Sequence, residues 1–215
     1  MATRAKEHIA AVVLAGGASR RLGMNKATAP VGGTSLLSLA VAAVEWASLI
    51  VVVAPHQTLC DAFPDGIPPY VVQTLEDPPF GGPVAGIVAG VKKVDEIDRE
   101  KTIERVVLAS CDVPGASSAV SRLLAEQDHA EGVCANNDEG IPQLLLGIYS
   151  ASFLRMRVAA VGSGRGMSVR SFIGQASLQG VSVEQGAARD VDTPGDLRWA
   201  RRWAATKCSQ SSIDN

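Results

Sequence analysis

The chain is predicted to fold as an α/β domain of Rossmann-like, doubly wound type, with a mostly parallel sheet and helices on both faces. Short runs of β-branched and aliphatic residues alternate along its 215 residues with alanine-rich stretches of helical length, the order that builds parallel sheets through right-handed crossovers. Several runs are apolar at nearly every position, which marks strands covered on both faces. Glycine and proline cluster between them, where loops are needed.

The strand candidates in order are residues 9–14, 49–54, 70–73, 105–109 and 132–135, with a shorter one at 181–184. Helix candidates occupy 36–47, 83–94, 117–127, 151–160, 168–173 and 194–205. Loops are expected at Gly32-Gly33 and at 64–69, 77–83 and 162–166. Neither a repeat nor a linker divides the chain, so residues 1–206 read as a single domain and the polar, serine-containing stretch 207–215 as a frayed tail.

Composition narrows the function. Apolar residues make up 47% and charged residues 20%, with a formal net charge of −2. That gives no overall basic field for nucleic acid or an anionic membrane, so any phosphate-binding function must come from a local site. Cys60, Cys111, Cys134 and Cys208 form no C-x-x-C pair and only three histidines occur, so neither a zinc nor an iron–sulfur site is indicated. Scattered cysteines suit reduced thiols in a cytoplasmic protein. Residues 1–8 lack the apolar core of a signal peptide, and no apolar run reaches membrane-spanning length. A monomer is expected.

In open α/β sheets ligands collect beyond the carboxyl ends of the strands. The first strand runs into Leu14-Ala15-Gly16-Gly17-Ala18-Ser19-Arg20-Arg21-Leu22-Gly23-Met24-Asn25-Lys26. Gly16 and Gly17 allow backbone N–H groups to approach a ligand and form an anion-binding nest. Arg20, Arg21 and Lys26 add three cations with no acid among them, which suits a triphosphate. The segment fits neither a Walker loop nor the dinucleotide fingerprint, and Gly162-Ser163-Gly164-Arg165-Gly166 follows a helix and reads as a connection.

Asp112 follows the strand at 105–109 and lies before Pro114, so its carboxylate can enter the cleft as a ligand for Mg²⁺, which takes one or two protein carboxylates plus substrate phosphates. Asp190 or Asp192 can be the second ligand if the C-terminal segment folds back across the cleft. Alternatively, Asp192 or Thr193 caps the helix that starts at Pro194. No Ser-His-Asp or Cys-His arrangement is legible. An anionic phosphate acceptor needs no general base, so catalysis reduces to positioning and charge neutralisation.

Five ordered segments resemble the MobA-like nucleotidyltransferases. They are the loop from Leu14 to Lys26, then Gly81-Gly82-Pro83-Val84-Ala85-Gly86-Ile87, then Ser110-Cys111-Asp112-Val113-Pro114. Pro142-Gln143-Leu144-Leu145-Leu146-Gly147-Ile148-Tyr149 and Asp190-Val191-Asp192-Thr193-Pro194-Gly195-Asp196-Leu197 complete the set. The resemblance implies the nucleotide-diphospho-sugar-transferase type of fold and transfer of GMP from GTP onto a molybdopterin-type acceptor, with release of pyrophosphate. It implies nucleotide binding by Leu14, Ala15, Gly16, Gly17, Gly23, Lys26, Gly82 and Asp112, and catalysis by Arg20, Arg21, Lys26 and Asp112. Asp112 and Asp192 would hold Mg²⁺. Apart from the resemblance, Arg165 and Arg170 are cations that could hold the acceptor's phosphate, with Asp190 and Asp192 on the same side. Transient contact with molybdoenzymes or their chaperones is also implied. The chain departs from the family at Asn25, where Asp is usual before the lysine, and at Ser110, where Pro is usual. Cytidylyl transfer or another small-acceptor nucleotidyl transfer on the same fold, and a non-catalytic nucleotide-binding module, are the rival readings; the presence of both Lys26 and Asp112 speaks against the last.

Overall fold

The computed structural model describes residues 8–17, 21–126, 131–174 and 176–211, with the side chains of the last helix through Lys207. In chain order the elements are β1 (Ile9–Leu14), a 3₁₀ turn (Lys26–Thr28), β2 (Pro30–Val31), β3 (Thr34–Ser35) and α1 (Leu36–Ala42). Then come β4 (Leu49–Val53), α2 (His56–Ala62), β5 (Val71–Thr74), α3 (Pro83–Ile97), β6 (Arg105–Ser110) and α4 (Ala116–Leu124). The chain finishes with β7 (Gly132–Asn136), β8 (Pro142–Ser150), α5 (Ala151–Val161), α6 (Val169–Ile173), β9 (Leu178–Ser182) and α7 (Pro194–Ser211).

Seven strands form one sheet in the order β5-β4-β1-β6-β8-β7-β9. Only β8 runs against the rest, pairing antiparallel with both β6 and β7. β1 lies centrally between β4 and β6, all three parallel, and every residue of β1 is buried. Alternate residues serve the two faces, as a period of two requires. Ala11, Val13, Val52 and Val107 pack with Leu37, Leu59, Val120 and Leu123 of α1, α2 and α4. Ala10, Val12, Val51 and Leu108 pack with Ile87, Val91, Leu154 and Phe172 of α3, α5 and α6. Helix α3 sits so close to the sheet that a Cβ on Gly90 would lie 2.3 Å from Val12 Cγ1. A third cluster, including Leu22, Val31, Val191, Leu197 and Ala200, docks α7 against the β2–β3 hairpin.

The expected fold class holds, with differences at the elements. Helix α1 ends at Ala42 because Val44 and Ala47 donate their N–H groups to carbonyls only three residues back, Val41 and Val44, so the chain tightens into turns. Strand β9 begins at Leu178, three residues ahead of the expected run, and ends at Ser182, two residues ahead of it. Helix α7 continues to Ser211, so the polar stretch from 207 starts inside a helix instead of fraying; residues 212–215 lie outside the described ones. Helix α2 and the β2–β3 hairpin were not anticipated. Among the described residues no helix is long and apolar enough to cross a membrane.

Candidate active site

The carboxyl ends of β1, β4, β5 and β6 open into a cavity of about 530 Å³, within the range of small-molecule sites. The loop after β1 is fastened at its base to both neighbours. Ala15 N–H donates to Val53 O at 3.0 Å, and Cys111 N–H donates to Leu14 O at 3.0 Å. Leu14, Ala15, Gly16 and Gly17 then line the cavity. Gly23, at φ +74, turns the chain towards the 3₁₀ turn without lining the cavity itself.

Asn25 caps that turn. Its Oδ1 accepts from Ala27 N–H at 3.1 Å, and its Nδ2 donates to Thr58 Oγ1 at 3.2 Å. The departure from the usual Asp therefore preserves the capping oxygen and adds a donor that ties the turn to α2. The turn aims Lys26 across the cavity, where Nζ donates to Asp112 Oδ2 at 2.9 Å and to Asp192 Oδ1 at 2.6 Å. Burial works to lower the ammonium's pKa, but the two carboxylates outweigh it and raise it, so Lys26 stays charged. Arg21 reaches Asp192 at 4.0 Å, with its side chain 81% exposed. Arg20 lies outside the described residues.

Asp112 stands just past β6, and its carbonyl accepts from Val191 N–H at 2.8 Å. That bond draws the C-terminal acidic segment over the sheet edge. Thr193 and Asp196 cap α7 reciprocally: Asp196 Oδ2 accepts from Thr193 N–H at 2.9 Å, and Asp196 N–H donates to Thr193 Oγ1 at 3.2 Å. With Thr193 as the cap, the Asp192 carboxylate turns to Lys26 and the cavity. Asp112, Asp190 and Asp192 each offer an oxygen, all within 4.8 Å of one another. Desolvation and the neighbouring carboxylates of Asp112 and Asp192 push the Asp190 carboxyl up, as expected where like charges crowd. An all-oxygen set of this kind suits a hard divalent cation. Burial, reinforced by Asp112, pushes the Cys111 thiol up, so it packs as a neutral group.

The other wall was missed in the sequence. Glu76 follows β5, is only 9% exposed and lines the cavity. Its Oε1 accepts from Phe80 N–H at 3.1 Å, and a Cβ on Gly16 would lie 3.9 Å from its Oε2. Phe80, Gly82, Pro83 and Leu145 line the same space. In Leu75-Glu76-Asp77-Pro78 the acid reads as an ordinary turn residue, and nothing local reveals that it points inward.

Two acceptor assignments do not meet the cavity. Arg165 donates from Nη1 to Pro78 O at 3.1 Å and to Pro79 O at 3.4 Å, and borders a second, smaller cavity of about 320 Å³. Arg170 is exposed on α6 and is absent from the described residues lining either cavity. Their spacing placed both on loops or helix ends but could not say which side of the sheet edge they face. Asp190 and Asp192 do gather beside Asp112.

A family model described as MobA-like NTP transferase domain matches residues 11–180. A molybdenum cofactor guanylyltransferase of Rhizobium johnstonii is 30% identical over 207 residues, which cover 92% of this chain and 94% of that protein. In fold, the chain is similar to molybdopterin-guanine dinucleotide biosynthesis protein A from Archaeoglobus fulgidus, with TM-score 0.67 and 19% identity over 92% of this chain and 99% of that one. It is also similar to 4-diphosphocytidyl-2C-methyl-D-erythritol synthase from Anaerococcus prevotii, with TM-score 0.65 and 12% identity over 94% and 98%. At these identities the two structures speak for the fold alone.

Proposed function

The chain belongs to the MobA-like NTP transferase family, and on that premise we propose that it transfers GMP from GTP onto a molybdopterin-type acceptor with release of pyrophosphate. The observation that carries the reading is the meeting of Lys26 with Asp112 and Asp192 at the mouth of the glycine loop. There the backbone N–H groups, a charged lysine and an acidic cluster converge on one cavity. The acceptor's phosphate oxygen attacks the α-phosphorus of GTP in line, the new O–P bond forms, and the bond to the β-phosphate oxygen breaks. Lys26 and Arg21 neutralise the triphosphate, and the glycine loop fixes its direction. Asp112, Asp190 and Asp192 would hold Mg²⁺, which supplies Lewis-acid stabilisation of the charge that develops on the phosphate oxygens. Already anionic, the acceptor needs no base.

Guanine is favoured by Glu76. The Watson–Crick edge of guanine carries adjacent N1–H and N2–H donors, which a carboxylate accepts together. Cytosine and adenine place an acceptor nitrogen at the equivalent edge, which a carboxylate repels. Glu76 follows β5 and Asp112 follows β6, with β4 and β1 between them. Three strand spacings put them roughly 14 Å apart, a span that suits a base at one end and phosphates at the other. The same reading makes the chain a cytoplasmic monomer that passes its product to molybdoenzymes or their chaperones.

The test is incubation of the protein with Mg²⁺, each NTP in turn and a molybdopterin-type acceptor, with pyrophosphate release as the readout. GTP should be turned over fastest. Faster turnover of CTP would move the chain to cytidylyl transfer, and no acceptor-dependent release with any NTP would overturn the enzymatic reading.

A further inference from the structure

The glycine-rich connection between α5 and α6 is pressed against the outside of the cavity wall. Gly166 N–H donates to Gly81 O at 2.9 Å, and Arg165 Nη1 donates to the carbonyls of Pro78 and Pro79. Gly164, at φ +64, lies so close to the start of α3 that a Cβ there would be 2.6 Å from Val84 Cγ1. Only glycine accepts both that backbone and that approach. The wall being held is the stretch from Pro78 to Gly82, whose inner side lines the cavity with Phe80 and Gly82.

This stretch needs holding. Phe80 has φ +62, a left-handed backbone that a bulky residue keeps only where its surroundings over-determine it. The residue is 70% exposed, so burial does little to fix it. From inside the cavity, the Glu76 carboxylate takes the Phe80 N–H. From outside, Arg165 and Gly166 donate three hydrogen bonds to the carbonyls of Pro78, Pro79 and Gly81. The two sets grip one short segment from opposite sides.

We infer that Arg165 is a positioning residue for the nucleoside end of the cavity: it clasps the Pro78–Gly82 wall and so sets the placement of Phe80, Gly82 and the Glu76 carboxylate. It has no contact with the acceptor. Both of its bonds come from one nitrogen, Nη1, whose two N–H groups the planar guanidinium holds in fixed directions, while a lysine ammonium is a point donor on a flexible stem. The consequence for function rests on the nucleotidyl-transfer reading, but the clasp itself does not.

Two measurements separate them. Hydrogen–deuterium exchange of the ligand-free protein reads the clasp directly. Arg165→Ala should speed exchange in peptides spanning 78–84 and leave β1 and β6 unchanged. Steady-state kinetics read the consequence. The variant should raise the KM for GTP by about tenfold, the scale set by losing a charge-assisted bond, with kcat and the acceptor KM within about twofold. Arg165→Lys should recover part of the GTP affinity and serves as the folded comparison if the alanine variant is unstable. Unchanged exchange in both variants overturns the clasp. Faster exchange with an unchanged GTP KM overturns the positioning role, and so does a rise in acceptor KM alone, which would return Arg165 to the acceptor. If the wild type turns over no GTP, the functional reading fails while the exchange result still decides the clasp.

Discussion

The two ends of the cavity are built on different plans. At the phosphate end, Gly16, Lys26 and Asp112 lie within a few residues of a strand or a capped turn, and neighbouring parallel strands bring them together through β1 and β6. At the nucleoside end, Glu76 and Phe80 lie on a loop whose shape depends on Arg165, 87 residues from Pro78. The first arrangement follows from strand order, because any group just past the end of a central strand must face the cleft. The second follows from loop packing, where a change far along the chain can move the site. The phosphate end should therefore respond to substitution in rate, and the nucleoside end in affinity and choice of base.

The sharpest break is expected at Asp112. Asn keeps the size, and the backbone carbonyl that accepts from Val191 is untouched, so the fold should survive Asp112→Asn. Turnover should fall by roughly a thousandfold or more, since the charge that would hold the cation is gone. The measurement is Mg²⁺-dependent pyrophosphate release, with GTP binding followed separately. Near wild-type turnover with the same Mg²⁺ requirement would reduce Asp112 to a turn residue. Lys26→Ala comes next. Loss of its charge-assisted bonds to phosphate should lower kcat/KM by roughly ten- to a hundredfold. Because Asp112 and Asp192 lose their shared counter-ion, ligand-free Mn²⁺ binding followed by EPR should tighten in the same variant. Weaker Mn²⁺ binding would mean that the lysine supports the acidic cluster instead of competing for it.

A smaller effect is expected at the nucleoside end. Glu76→Gln retains a carbonyl oxygen for the Phe80 N–H but replaces the other oxygen with a donor, which then faces the donors of guanine. The preference for GTP over CTP in kcat/KM should shrink by roughly tenfold, with kcat for GTP little changed. A preference that stays intact would take base reading away from Glu76 and leave it as a fastener of the loop.

The same contrast explains what the sequence made legible. The strand at 9–14 is apolar throughout and the one at 105–109 is apolar after Arg105, and the glycine-rich and acidic segments that follow them announce their place at the sheet edge. Asp112 and Lys26 were therefore accessible without coordinates. Glu76 was not, because an acid before Asp-Pro is common in turns and its inward aim depends on the Phe80 N–H. The aim of Arg165 was hidden for a related reason. An arginine between glycines offers charge but not direction, and its partners are backbone carbonyls that carry no signature of their own. The segment that forms β8 entered only through the resemblance, and its reversal against β6 and β7 is a matter of sheet order. Helix α2 begins after Pro55 with polar residues and spans only seven positions, too few to establish a period.

The least effect is expected where scaffold and site adjoin, at Asp196. Hydrogen bonds from Thr193 and then from Arg189 lower its carboxyl from the ordinary 3.8 to about 2. A folded-state pKa below the unfolded one means that the ionised form is favoured by folding. The contribution is complete well above pH 3.8 and is lost as pH falls to about 2. Asp196 is partly open to solvent and its Arg189 partner more so, so the ion pair counts for little and the cap dominates. Asp196→Ala should therefore cost about 1 kcal/mol at pH 7, read as a shift in the urea midpoint at constant slope. The gap from wild type should narrow as pH is lowered from 5 towards 2, since the wild-type carboxyl is then protonated as well. A gap that stays constant over that range would show that the charge on Asp196 does not stabilise the cap. Turnover should change by no more than about threefold, because Val191 N–H still ties the segment to Asp112 O and 1 kcal/mol of local stability moves few molecules out of the folded state. A loss approaching that of Asp112→Asn would instead mean that the cap sets the position of Asp192, and that the phosphate end also depends on contacts beyond its strand ends.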